Sequence, residues 1–181
     1  RAHSNLLYSL NCVLKEGQAL IEEHLLWDEQ HAKSLLQQCS FAHDRSTERQ
    51  LRIGYVSPDF CNHSVAYFIE GILKHHDAES FHISCYSNLL KPDARTDELR
   101  KLSHSWREIG GLSDDEAADL IRGDHIDLLV DLSGHTANHR LMVFARKPAP
   151  VQVTYIGYPA TTGMSAMDYR ITDHLADPAG S

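Results

Sequence analysis

From Leu51 onward, short apolar runs alternate with segments of helical periodicity, and this alternation restricts the fold more than any single motif in the chain. The first unit is LRIGYVSPDFCNHSVAYFIEGILKHH, residues 51–76. Residues 53–56 read as a buried strand, and a polar loop carrying Asp59, Asn62 and His63 follows. Val65, Phe68, Ile69, Ile72 and Leu73 then recur at i, i+3, i+4, i+7 and i+8, which is one face of a helix with Ser64 as the expected N-cap. The pairing repeats: a strand at 82–87 before a helix at 96–102, and a strand at 106–109 before a helix at 114–122 that Ser113 caps and Gly123 stops. The apolar run DLLVDL at 127–132 precedes a helix at 138–145, and strands at 151–156 and 169–172 complete the series. Strands and helices alternating through short connections predict an α/β fold, a parallel, doubly wound sheet with helices on both faces.

Residues 1–40 read differently. A short segment through Leu6, Leu7 and Leu10 and a longer one at 18–38 are expected to be helical. In the second, Leu20, His24, Trp27, His31 and Leu35 fall on one face, so the two histidines are read as covering a core edge rather than holding a metal. The polar stretch 41–50 is expected to be a linker, and 51–181 the sheet domain. With 181 residues and 42% hydrophobic content the chain can bury one substantial core.

A formal net charge of -8 argues against bulk affinity for nucleic acid or an anionic membrane, and neither is expected as a partner. Cys12, Cys39, Cys61 and Cys85 are widely spaced, which suggests neither a disulfide framework nor a zinc ribbon and fits a reducing, cytoplasmic-type protein. No run approaches the roughly 18–20 apolar residues of a membrane span, and no signal-peptide pattern opens the chain. A start on Arg1 and an end at Pro178-Ala-Gly-Ser181 are expected of a piece of a longer polypeptide. Neither G-x-G-x-x-G after the first strand nor G-x-x-x-x-G-K-[ST] occurs, which disfavours an ordinary dinucleotide-binding domain or P-loop NTPase.

In open α/β sheets ligands bind beyond the carboxyl ends of the strands. The loops expected there carry Ser57, Asp59, Asn62 and His63; Asn88, Lys91 and Asp93; Ser133, Gly134, His135 and Thr136; and Gly157, Tyr158, Pro159, Thr161, Thr162 and Gly163. Together they make one polar rim. His63 at a helix N-terminus is suited to a neutral imidazole that accepts or relays a proton, and Asp59 could orient it or bind a hydroxyl. The same pair could equally hold the loop to backbone amides. His135 and His139 stand at i, i+4, yet no third residue has diagnostic metal-ligand spacing, so no metal is expected. Lys147-Pro-Ala-Pro150 reads as a strand-initiating turn, and Ile156-Gly-Tyr-Pro-Ala-Thr-Thr-Gly163 as a loop whose backbone can approach a ligand closely.

Several stretches in the same order resemble the catalytic region of the O-GlcNAc transferase and SPINDLY family of protein glycosyltransferases: HSNLLYSLN at 3–11, RIGYVSPDFCNHSVAYFIE at 52–70, DLSGHTANHRL at 131–141, PAPVQVTYIGYPATTG at 148–163 and DYRITDHLADP at 168–178. Details such as HSVAYFIE and GHTAN resemble the bacterial and SPINDLY-like branch more than the animal enzymes. The resemblance implies the Rossmann-like N-terminal lobe of a two-lobed GT-B region, with residues 1–40 joining an upstream tetratricopeptide array and a C-terminal lobe carrying most nucleotide contacts. It implies inverting transfer of a sugar, GlcNAc from UDP-GlcNAc, to Ser or Thr of a protein or peptide acceptor, with no metal or other cofactor. By motif match His3, Asp59 and His63 are the implied catalytic residues. His135, Thr136, Ile156, Gly157, Tyr158, Pro159 and Thr161 are the implied substrate-binding ones. Three other readings compete: SPINDLY-like O-fucosyl transfer from GDP-fucose, a non-catalytic acceptor-binding or oligomerisation module, and a metal-dependent hydrolase that would carry stoichiometric zinc.

Overall fold

The structure is a computed structural model that describes residues 2–13, 17–36, 41, 44, 46 and 48–178. Two helices, α1 (Ala2–Val13) and α2 (Gly17–His31), come first, and a 3-10 turn at Lys33–Leu35 follows. Thereafter β1 (Leu51–Ser57), α3 (Ser64–His75), β2 (Phe81–Ser87), α4 (Ala94–Arg100), β3 (Ser105–Glu108), α5 (Asp114–Gly123), β4 (Leu128–Asp131), α6 (Leu141–Ala145), β5 (Val151–Tyr155) and β6 (Tyr169–Ile171) alternate as the sequence predicts. All neighbouring strands pair in parallel, in the order β3-β2-β1-β4-β5-β6. From β1 the chain winds outward one way through β2 and β3, then returns and winds the other way through β4, β5 and β6. The switch point therefore lies between β1 and β4.

Alternation along the strands builds a core on each face. Ile53, Tyr55, Ile83, Cys85 and Val130 meet Val65, Ile69 and Leu73 of α3 and Leu99 of α4. On the other face Val56, Tyr86 and Leu129 meet Ala117, Ala118 and Ile121 of α5, Leu141 and Phe144 of α6, and Leu7 and Trp27 of the two N-terminal helices. The leading helices are thus packed into the domain's own core. Arg49, at the end of the expected linker, forks onto Asp127 with two bonds of 2.6 Å, while residues 42, 43, 45 and 47 of that stretch lie outside the described residues.

Several boundaries differ from expectation for local reasons. The second helix ends at His31 because the chain tightens into the 3-10 turn, which keeps Leu35 near the same face; residues 37 and 38 lie outside the described residues. Helix α4 starts two residues early because Asp93 and Thr96 form a reciprocal capping box, and it ends at Arg100 with Lys101 as its C-cap. Ser113 caps α5 as expected, with Glu116 closing the box, but Gly123 sits inside the last turn and His125 takes the left-handed conformation at φ 52°. Helix α6 begins only at Leu141, since Asn138 at φ 58° and a non-helical Arg140 break the run from 138. Phe68 has the helical spacing of a core residue but is 63% exposed on α3.

Candidate active site

The carboxyl ends of β1, β4 and β5 open onto a cleft of about 590 Å³. Asp59, His63 and Val65 line it from the β1 loop and the start of α3, His135 and Thr136 from the β4 loop, and Ile156, Gly157 and Pro159 from the β5 loop. The remaining wall is helix α1, through Asn5, Tyr8, Asn11 and Cys12. This is the switch-point crevice in which doubly wound sheets bind ligands.

His63 itself is the N-cap of α3, in place of the expected Ser64. Its backbone is extended at φ −142°, and its Nδ1 accepts a hydrogen bond of 3.3 Å from the Val65 N–H. An imidazole acceptor meets the free helix amide as a serine hydroxyl would. Because the cap uses the Nδ1 lone pair, the ring hydrogen lies on Nε2. The Asp59 carboxylate stands 3.8 Å from that same Nδ1, too far for a hydrogen bond. Burial raises the Asp59 pKa above the usual carboxylate value, and the neighbouring His63 opposes the rise. Its loop is braced by the Ser57 hydroxyl, which accepts from the Asp59 N–H at 2.9 Å, and by Asp93, which caps α4 and accepts from the Asn62 N–H at 2.8 Å. The pair therefore offers an acceptor at Asp59 and a donor at His63 Nε2.

The β4 loop turns on Asp131, whose role the sequence reading missed. Fully buried, its carboxylate accepts from Gly134 N–H and the Thr154 hydroxyl at 2.8 Å each, and from the Ser133 N–H and hydroxyl at 3.1 Å each. Desolvation raises its pKa against the pull of these bonds. The loop it shapes carries His135, 1% exposed, whose Nε2–H donates to the Thr162 carbonyl at 2.9 Å. Burial drives the His135 pKa down to about 3, so its ring is neutral. His139 spends both ring nitrogens, Nε2 on the Ser4 hydroxyl and Nδ1 on the Leu141 N–H. His135 Nδ1 is buried without a hydrogen-bond partner among the described residues, whereas His139 has no ring nitrogen left with which to share a cation. Among the described residues no three His, Cys, Asp or Glu side chains converge as a metal site would require.

In the β5 loop the Gly157 N–H bonds back to the Tyr155 carbonyl at 2.8 Å, which makes Ile156 the centre of a γ-turn at φ 59°. A β-branched residue there is an outlier, and such strain gathers at ligand sites. Gly157 lies against β4 so closely that a Cβ on it would be 1.9 Å from the Leu132 carbonyl oxygen. Thr136 and Thr161 turn their hydroxyls to local backbone, Thr136 donating to the Ser133 carbonyl and Thr161 accepting from the Gly163 N–H. Tyr158 is 6% exposed and points away from the cleft toward α2, where burial raises its pKa to about 12.

His3 is not brought to this cleft. Its ring bonds His31 at 3.1 Å and Glu23 at 3.0 Å, at a shallow pocket on the outer side of α1 and α2. It stands two positions before Asn5, about 200° around a helix of 3.6 residues per turn, which explains why one faces the cleft and the other does not. The α1 wall was missed in the sequence reading. Its signal was available: Asn5, Tyr8 and Cys12 stand at i, i+3 and i+7, a face distinct from the one buried through Ser4 and Leu7.

The sequence profile of glycosyl transferase family 41 matches residues 1–181. The chain belongs to glycosyl transferase family 41. Among the family-41 proteins it is similar to, the probable UDP-N-acetylglucosamine–peptide N-acetylglucosaminyltransferase SPINDLY of Oryza sativa subsp. japonica is 45% identical across 98% of this chain, which covers 20% of that protein. The UDP-N-acetylglucosamine–peptide N-acetylglucosaminyltransferase of Caenorhabditis elegans is 33% identical across 97% of this chain and 16% of its own length. A solved structure of a point mutant of Thermobaculum terrenum O-GlcNAc transferase superposes with a TM-score of 0.93 at 45% identity, over 98% of this chain and 34% of that one. This family-41 sequence therefore spans a minor part of the length of the proteins it matches, and its α/β sheet is shared with that O-GlcNAc transferase structure. No helix among the described residues is long and apolar enough to cross a membrane.

Proposed function

We propose that the cleft at the β1–β4 switch point is the sugar-facing half of a protein O-glycosyltransferase site, taking GlcNAc from UDP-GlcNAc and passing it to Ser or Thr hydroxyls of protein acceptors. The observation that carries this reading is the meeting of Asp59 and His63 with the strained Ile156–Pro159 turn in one cleft. Transfer by direct displacement has two needs: removal of the proton from the attacking alcohol and relief of charge on the departing diphosphate. Asp59, its carboxylate less solvated than usual, is placed to accept a hydrogen bond or proton from a hydroxyl in the cleft. His63 supplies a fixed Nε2–H donor, because the helix cap holds the other nitrogen. Ile156, Gly157 and Pro159 give the sugar ring a rigid wall of backbone and aliphatic carbon. His3 acts outside this reading, as a contact between α1 and α2. In this reading no resident metal takes part: His139 spends both ring nitrogens on internal bonds, and His135 keeps its Nε2 on the Thr162 carbonyl. The rest of the parent protein supplies the diphosphate site and docks the acceptor.

A donor screen on the full-length parent tests the reading. UDP-GlcNAc is expected to be hydrolysed slowly alone and to label protein acceptors. Use of GDP-fucose without UDP-GlcNAc would overturn the donor assignment, and use of neither would overturn the glycosyltransferase reading.

A further inference from the structure

The wall of the cleft formed by the β5 loop is held from behind by the two N-terminal helices. Asn11 of α1 donates through Nδ2 to the Tyr158 oxygen. The same Nδ2 donates to the Leu7 carbonyl at 2.8 Å, which fixes the orientation of the amide. Tyr158 in turn donates its O–H to His24 Nε2 at 2.8 Å, and His24 Nδ1–H donates to the Leu20 carbonyl at 2.7 Å. Every donor and acceptor in this series is assigned a single direction, from α1 through the loop into α2. Two further ties reinforce it. At the far end of the loop, Gly163 at φ 68° lies so close to α2 that a Cβ would sit 2.5 Å from the His24 carbonyl, and Asp28 accepts from the Ser165 N–H at 3.1 Å. The two residues flanking Tyr158, Gly157 and Pro159, line the cleft, while Tyr158 faces the helices.

We propose that Tyr158 is a positioning residue by which α1 and α2 set the place of the sugar-facing turn Ile156–Pro159. Its hydroxyl does not touch the sugar. The proposal rests on the reading of the cleft as a donor-sugar site and assigns the helical segment a part in it. A hydroxyl tied to two helices fixes the loop at its midpoint, and a cleft wall displaced by about 1 Å is enough to cost a large factor in a positioned reaction. Loss of the tie should act on how the sugar is held while the Tyr158 ring keeps its packing.

The test uses the full-length parent with Tyr158→Phe, Asn11→Leu and the double variant. Three quantities are measured in each: KM and kcat for UDP-GlcNAc, the melting temperature, and amide hydrogen exchange across residues 156–163. Each single variant is expected to raise KM about fivefold to tenfold, with kcat changed less than KM, and to speed exchange in the loop. The double variant is expected to be no worse than the poorer single, because both remove the same tie. Effects that multiply in the double variant, or a KM within twofold of wild type with unaltered exchange, would overturn the proposal. If the wild-type parent transfers no sugar, the functional reading fails. Exchange at 156–163 then still decides the clamp: unchanged exchange in both variants refutes it, and faster exchange in both supports it.

Discussion

Replacing Gly157 with alanine places a methyl group where the structure has none to spare. The added Cβ would stand 1.9 Å from the Leu132 carbonyl oxygen, 2.5 Å from the Leu132 carbonyl carbon and 2.7 Å from the Ser133 Cα. All three are backbone atoms at the end of β4, so no side chain can swing away. Reaching even a tight 3.0 Å contact demands that the two loops separate by about 1.1 Å. Ile156 cannot absorb the movement cheaply, since it is already held in a γ-turn at φ 59°. Overpacking of this kind costs about 1–3 kcal/mol, and for a domain of this size each kcal/mol lowers the melting temperature by about 2–4 °C. Gly157→Ala is therefore expected to melt about 2–12 °C below wild type. Activity should suffer more than stability, because displacements of about 1 Å in a positioned site cost on the order of a hundredfold. Calorimetry on the chain and kcat/KM for UDP-GlcNAc on the full-length parent read the two effects. A variant that melts within 1 °C of wild type and keeps its kcat/KM within twofold would refute the close β4–β5 contact as the brace of the cleft.

Stability should also depend on pH through His135. Its folded pKa, about 3, lies below the unfolded value of about 6.5, so the unfolded chain binds more protons between those limits. The contribution is complete above about pH 6.5 and is lost progressively as pH falls toward 3. By pH 5 the loss is about 2 kcal/mol, and the lowered His24 pKa adds in the same direction. Melting curves from pH 7.5 to 5 check this: His135→Phe should flatten the decline, and an unchanged slope would contradict the assignment. In the full-length parent, Asp59→Asn and His63→Ala should each lower turnover by at least about tenfold. Variants that melt early but keep their specific activity would show that the pair only braces the loop.

The sheet was legible because its signals are local. Apolar runs such as DLLVDL and the spacing of Val65, Ile69 and Leu73 state their own burial, and the order of the elements then leaves few topologies. The polar rim was legible for the same reason, since each loop follows a strand. What stayed hidden was the identity of the caps and the reach of distant segments. A histidine caps α3 through Nδ1, a use of imidazole that cap preferences scarcely register. His125, Asn138, Lys147 and Ile156 take positive φ without being glycine, which side-chain type does not announce. Tyr158 has the sequence context of a ligand-facing residue. Only the placement of Asn11 and His24 turns its hydroxyl to the opposite side of the loop. The separation of His3 from Asp59 and His63 is likewise a matter of which helix face docks, which depends on Leu7 and Trp27 sharing a core with the sheet.

The structure of the full-length parent bound to a non-hydrolysable UDP-GlcNAc analogue tests the account most directly. The sugar ring is predicted in the cleft of about 590 Å³, with its hydroxyls within hydrogen-bond reach of Asp59 or His63 and its face against Ile156 and Gly157. A sugar ring seated instead in the neighbouring cavity beside Phe68 and Ile171, or in the one beneath Trp27 and His139, would contradict it.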